Sequence, residues 1–369
     1  MKKLVSWLIV SILAITLYVP FVFAEDDIST ISTFKFMSDI SEYSGSKFDN
    51  KHIRTSNGNY EYFDYLINGN LLTVTGYITN PKINKLIIDF VDKKDYYEKV
   101  HYGFRQRLNI KNNEEFKVII DLSKYMKDFE STVNIWKGTN SGAEHIDYED
   151  YITFKIKIEK IGNEYFIKKP LVYDKNKLIY SNNILKLYFE KLGRNNRIKD
   201  IEQEIVELSN SICENTKGDY DKVLKIHNWV AENIYYDYDY YNDKKNKSTY
   251  FSSIEVLKNK RTVCEGYSNL FMDLVRVQNI PCRKIHGYDI KTYRQVWTNE
   301  ILDNNEITHA WNQVYVNNRW INVDVTWDSN NIYENGTFVY NGLDDHYYFD
   351  ISDEMLSYSH KAMFIKLLE

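Results

Sequence analysis

The apolar period of this chain turns from that of strands to that of helices near residue 176, and that change limits the folds open to it. In "YITFKIKIEKI" (151–161) apolar and polar residues alternate. Ile152, Phe154, Ile156 and Ile158 face one way, and Thr153, Lys155, Lys157 and Glu159 the other, as in a half-buried strand. Shorter strand-like runs, "LLTVTGYI" (71–78), "KLIIDFV" (85–91) and "FKVIIDL" (116–122), are separated by Asn, Lys and Gly turns. From about residue 176 the period becomes helical: Ile201, Ile205 and Leu208 recur at that spacing, as do Val223, Ile226, Trp229, Val230 and Ile234. Another helix is expected from about Cys264 to Gln278, with Leu270, Phe271, Leu274 and Val275 inward. After Pro281 strands return in "HAWNQVYV" (309–316) and "RWINVDVTW" (319–327). The chain therefore reads as an all-β sandwich over 56–175, immunoglobulin-like in one reading, followed by an α+β domain over 176–369. No chemical constellation stands out in the first of these, and a spacer or binding module is the expectation for it.

The N-terminus speaks to compartment. Lys2 and Lys3 precede an apolar stretch from Leu4 to Val19, Pro20 breaks it, and Val22-Phe23-Ala24 supplies the small residues of a cleavage site. Residues 1–24 are expected to be a removed signal peptide, which places the protein outside the cell or at its surface. The competing reading is an uncleaved anchor, since Leu4 to Ala24 is nearly long enough to span a bilayer. After cleavage no stable membrane insertion is expected. Loss of Lys2 and Lys3 takes the formal charge from −5 to −7, with charges well mixed and no basic patch for nucleic acid. Residues 25–55 are polar and rich in Ser, Asp and Asn, the grammar of a tether.

Three cysteines cannot all pair, so at least one thiol is free. Cys213 falls on an expected helix. Cys282, in "NIPCRKI", reads as core, and the two could pair only through a geometry the sequence does not show. Cys264, in "RTVCEGYSNLF", stands at a helix start, where unpaired N–H groups and the dipole favour thiolate over thiol and could hold an oxyanion. Arg261 could add positive charge, and Gly266 could keep the first turn thin for a substrate backbone. The bland reading of Cys264 is a small buried filler. A reactive cysteine needs a base, and His309 opens a strand that turns at Asn317-Asn318, residues that tolerate the positive φ of a tight hairpin. That register pairs Val316 with Arg319, Trp311 with Asp324 and His309 with Thr326. It puts Asp324 diagonal to His309 on one face, where it could fix the imidazole tautomer. An Asp at mid-strand is unfavourable, and capping a turn is its bland reading.

With those residues in view, "RTVCEGYSNLFMDLVRVQNIPCRKIHGY" and "THAWNQVYVNNRWINVDVTWD" resemble the core of the transglutaminase-like superfamily, which shares the papain-like catalytic arrangement. The similarity covers roughly residues 215–330, with "HNWVAENIYYDYD" as its lead-in helix and a weaker match in "HYYFDISDEML" (346–356) to secreted bacterial members. The resemblance implies Cys264 as nucleophile, His309 as general base and acid, and Asp324 as its orienter. It also implies a side-chain donor beside the oxyanion, for which Trp229, Tyr236 and Trp311 are candidates. Animal members use Ca²⁺, but this chain has no EF-hand loop, and no metal or cofactor is carried over. The tyrosine cluster "YYDYDYY" (235–241) reads either as the lining of a substrate groove or as an exposed aromatic loop. His101, His145, His227 and His360 show no metal-ligand spacing with other donors.

The function expected is cysteine-dependent acyl transfer on protein or peptide amides through a Cys264 thioester: transglutaminase-type crosslinking or deamidation, or peptide or amide hydrolysis. Cell-wall peptide is one substrate class. The reading from a different class is a non-catalytic cell-envelope binding or scaffold protein that keeps the fold. A metallohydrolase is disfavoured for want of ligand clusters.

Overall fold

A computed structural model describes residues 34–35, 52–56, 59–92, 104–126, 130–140, 146–148, 154–181, 201–245, 247–290, 297–343 and 346–366. The expected signal segment, most of the expected tether, His101 and His145 lie outside them. Among the described residues no helix is long and apolar enough to cross a membrane.

The N-terminal region is two antiparallel sheets sharing one core. The first runs Phe34–Lys35, Glu114–Asp121, Leu71–Ile78, Asn59–Asn68, His52–Ser56, and the second Glu164–Ile167, Phe154–Ile161, Glu130–Asn140, Lys85–Asp92, Phe104–Asn109. Alternation drives this. Leu72, Val74, Val118 and Ile120 of the first sheet meet Leu86, Ile88, Val133, Ile135, Ile156 and Ile158 of the second in one buried cluster. The first sheet begins before residue 56, because His52–Ser56 pairs with Asn59–Asn68 and Phe34–Lys35 with Glu114–Glu115.

The C-terminal region is helices on an antiparallel sheet. Four helices, α1 (Gln203–Ile212), α2 (Asp219–Asn233), α3 (Ser253–Asn259) and α4 (Cys264–Val277), surround a second core. Tyr267, Leu270, Phe271, Leu274 and Val275 recur at helical spacing on α4, and all are buried. They meet Val314, Val316, Ile321 and Val323 of the sheet. That sheet contains β1 (Cys282–Asp289), β2 (His309–Val316), β3 (Arg319–Val323), β4 (Phe349–Ile351) and β5 (His360–Lys366), in the order β4-β3-β2-β1-β5. Its other face is not solvated. Ile285, Trp311, Ile351 and Ala362 join the core of the N-terminal sheets. Tyr65 and Lys169 both donate hydrogen bonds to the buried Glu354, across that junction.

A third, small sheet carries the approach to α4. Arg261–Thr262 and Ile332–Glu334 flank Tyr235–Asp237 in parallel, and Tyr236 pairs with Thr262. The β2–β3 hairpin turns at Asn317 (φ 50°) and Asn318 (φ 59°), as its two-residue Asn turn requires. Its register runs from Val316–Arg319 to Asn312–Val323.

Candidate active site

Cys264 is the first residue of α4 and half-buried. Extended Val263 (φ −109°, ψ −175°) turns the chain from Arg261–Thr262 into the helix. The N–H groups of Gly266 and Tyr267 both return to the Val263 carbonyl, at 3.0 and 3.2 Å. The N–H groups of Cys264 and Glu265 are those a helix start leaves without intrahelical acceptors.

His309 opens β2 and is buried, with Nε2 2.6 Å from Asp324 Oδ2. That bond leaves Nδ1 for Cys264, which lies near enough to act on the imidazole and whose Sγ is 4.0 Å from the carbonyl of the neighbouring Thr308. Burial opposes a charge on His309. The Asp324 carboxylate, with Cys264 behind it, prevails and raises the imidazole well above its usual value. Burial alone would raise Asp324, but the charge and hydrogen bond of His309, followed by those of His360, hold it below the usual carboxylate range.

Asp324 does not sit in mid-strand, and His309 does not face Thr326. Sheet pairing ends at Asn312–Val323, and Asp324 is the N-cap of the short helix Val325–Asp328. Its Oδ1 accepts the N–H groups of Thr326 (3.0 Å) and Trp327 (3.3 Å), while Oδ2 faces the histidine. Asp is a poor strand residue and a good cap, so the chain leaves the sheet there. Capping and histidine contact coexist on the two oxygens of one carboxylate. The far end of this helix is anchored too. Asp328 Oδ2 lies 3.0 Å from buried His227 Nε2, and its Oδ1 accepts the Tyr348 N–H at 2.8 Å.

The residue that sequence spacing missed is His360. It comes from β5, 36 residues after Asp324, and its Nε2 lies 3.0 Å from the same Oδ2. His309, Asp324 and His360 offer donor atoms within 4.8 Å of one another, contrary to the expectation that His360 stands apart from other donors. The 2.6 Å Nε2–Oδ2 separation is that of a charge-assisted hydrogen bond. It is shorter than the ~3.3 Å between neighbouring ligands of a tetrahedral zinc site with bonds of about 2.0–2.1 Å. The geometry is that of a carboxylate with two imidazole donors.

Of the three candidates for an oxyanion donor, Tyr236 pairs with Thr262, two residues before Cys264, and its hydroxyl lies within electrostatic range of the thiol. Burial, more than that charge, raises this hydroxyl well above its usual value, so it stays protonated and able to donate. Trp229 packs against the helical core with the Lys260 ammonium 4.9 Å over its ring. Trp311 is fully buried beside the Tyr180 hydroxyl and stacks against His309 at 6.0 Å. Tyr236 also packs edge-on against Tyr238 at 5.0 Å and lies 5.8 Å from Tyr241, so part of the tyrosine cluster gathers around it. A separate cavity of about 510 Å³, lined by Asp239, Lys247, Arg261 and Tyr333, includes none of Cys264, His309 and Asp324.

Two expected roles change. Arg261 does not serve Cys264: its guanidinium lies 3.5 Å from the buried Asp237 carboxylate and 4.1 Å from the centre of the Tyr333 ring. Gly266 presents no open face to a substrate, because a Cβ there would run into the Thr262 side chain. Its smallness serves helix–strand packing. Cys213 and Cys282 are buried and not joined in a disulfide, and burial raises both thiols, Cys282 to about 12.

Comparison with known proteins locates this arrangement. Residues 206–325 match the transglutaminase-like superfamily. The chain is 29% identical over 178 residues to mouse (Mus musculus) kyphoscoliosis peptidase, covering 48% of this chain and 25% of that protein. The human (Homo sapiens) protein of the same name is 29% identical over 163 residues, covering 43% and 22%. The match thus spans about a quarter of the length of these relatives. Among solved structures, red sea bream transglutaminase aligns at 11% identity and a TM-score of 0.26, over 70% of this chain and 48% of that one.

Proposed function

We propose that the transglutaminase-like domain of this chain is a cysteine acyltransferase or amide hydrolase, secreted and acting on protein or peptide amides outside the cell. A domain of this superfamily supports cysteine-dependent catalysis in general. The observation that carries the finer reading is Cys264 at a helix start, beside the residue that precedes His309, with the His309 imidazole hydrogen-bonded to Asp324.

In this reading His309 takes the Cys264 proton, and the thiolate attacks the amide carbon. The oxyanion is met by the N–H groups of the α4 start and the Tyr236 hydroxyl. Imidazolium then returns the proton to the nitrogen as the C–N bond breaks, leaving a thioester and releasing ammonia or an amine. Asp324 fixes the tautomer that presents Nδ1 to sulfur. An amine resolves the thioester by transfer and water by hydrolysis, and the choice depends on how well bound substrate excludes water. The peptidase name of the mouse and human relatives favours hydrolysis as one outcome. Lys2, Lys3 and the apolar stretch ending at Val22-Phe23-Ala24 are the support for secretion.

The test presents glutamine-containing proteins and cell-wall peptides to the protein with and without a fluorescent primary amine, reading ammonia release, amine incorporation and peptide cleavage. At least one is expected, and Cys264→Ala abolishes it. Absence of all three, with Cys264 alkylating at the rate of an ordinary thiol, would overturn the reading in favour of a binding protein.

A further inference from the structure

We infer that His360 is a positioning residue of the Cys264 site, a second donor that holds Asp324 and tempers its pull on His309. This rests on the proposed roles of Cys264, His309 and Asp324. The carboxylate receives four donors, two backbone N–H groups on Oδ1 and the Nε2 atoms of His309 and His360 on Oδ2. Every direction in which the His360 side chain could move is closed. Its ring centre lies 5.0 Å from that of Trp311, 4.6 Å from Trp327 and 5.7 Å from Tyr348, and the residue has no exposed surface. Ser359 Oγ lies 2.7 Å from Nδ1 and also reaches the Leu356 carbonyl at 3.3 Å, while the Asp324 carboxylate, which only accepts, takes the Nε2–H.

The backbone at His360 is held as firmly. Asn176, fully buried on the helix Tyr173–Tyr180, donates to the His360 carbonyl (2.8 Å) and to Ser357 Oγ (2.9 Å), and it accepts the Ala362 N–H (2.7 Å). Tyr180 of that helix belongs to the core of the N-terminal sheets, so the N-terminal region helps to fix the imidazole that meets Asp324 opposite His309. A leucine would fill the space among the three rings. An imidazole with both nitrogens placed is needed only if the donor matters.

The titratable groups facing His360 are Asp324, His309, Asp289 across the β1–β5 register, and Tyr348. Burial lowers His360 against the pull of Asp324, so it stays neutral and Asp324 balances a single imidazolium. A neutral donor on Oδ2 takes up part of the charge that His309 would otherwise have alone. The result is a less basic His309, and therefore a better acid toward a leaving amine.

The test is the pH dependence of Cys264 alkylation by iodoacetamide in the full chain, resolved by peptide mass spectrometry, for wild type, His309→Ala, His360→Phe and His360→Gln. Phe keeps a ring and loses the donor, whereas Gln keeps a neutral donor. The alkaline limit of the Cys264 advantage is expected to move up by roughly half to one pH unit in His360→Phe, the worth of one lost hydrogen bond. His360→Gln is expected to keep the wild-type limit. A purely structural role would lower the rate without moving the limit, and that result in folded His360→Phe overturns the inference. If His360→Phe does not fold, imidazole ¹⁵N shifts of the wild type decide: neutral His360 with its proton on Nε2 supports the inference, and a proton on Nδ1 or on both nitrogens overturns it. Failure here is separable from failure of the proposed function, because an inactive Cys264 would show no His309→Ala effect at all.

Discussion

Asp324→Asn probes the centre of the site most directly. The wild-type carboxylate accepts from four N–H donors, two from the backbone and two from imidazoles. An asparagine has one carbonyl. If that oxygen keeps the cap bonds to Thr326 and Trp327, its amide nitrogen faces two imidazole N–H groups that have lost their acceptor. Removing one member of a buried ion pair costs about 3–5 kcal/mol, and here His309 can shed its proton, so about 3 kcal/mol is expected near pH 6. The pH dependence follows from the two shifts. Asp324 is depressed below its usual 3.8, so its contribution is present above that value and lost as pH falls toward the depressed one. His309 is raised above its usual 6.5, so its contribution is present below 6.5 and lost as pH rises through the raised value. The stability gap between wild type and Asp324→Asn is therefore widest between about pH 4 and 6.5. At high pH it shrinks to the ~1 kcal/mol of a neutral hydrogen bond. Urea unfolding of both proteins from pH 4 to 9, followed by tryptophan fluorescence, measures it. A gap below about 1 kcal/mol at pH 5, or an equal gap at pH 5 and pH 9, would refute the pairing.

Two further outcomes follow from packing and burial. Gly266→Ala drives a methyl onto buried Thr262 and is expected to lose about 1–3 kcal/mol in the same unfolding assay; wild-type stability would show that the helix start gives way easily. In folded protein near neutral pH, iodoacetamide should modify Cys264 well before Cys213 and Cys282, since those two thiols are buried and raised, Cys282 to about 12. Equal rates at all three would mean that the core opens on the timescale of the reaction.

Much of the site is legible in local sequence because local chemistry builds it. The Asn317-Asn318 turn fixes the β2–β3 register, and the structure keeps that register as far as Val323. The helical period places Cys264 at the head of α4. The error at Asp324 comes from extending a correct register past its last pair, Asn312–Val323. Strand pairing and helix capping competed there, and the cap prevailed with two backbone N–H groups in hand. Gly266 and Arg261 were given to the substrate and the thiol by proximity in sequence, whereas Thr262, Asp237 and Tyr333 occupy them in space.

The sequence by itself determined the elements: two β-rich sheets from an apolar period of two, an α+β domain from the change of period, a cysteine on a helix start, and a histidine on a hairpin of known register. Only the tertiary structure decided what lies beside them. It brings His360 in on β5, a strand that reaches Asp324 from across the sheet, and it locks that strand through Asn176 on a helix 184 residues earlier. It also packs the N-terminal sheets against the back of the strands that bear His309. Periodicity and turn chemistry are local and leave their mark within a few residues. Which strand takes an edge, and which imidazole meets a shared carboxylate, depends on burial summed over the whole chain and leaves no mark at any one position.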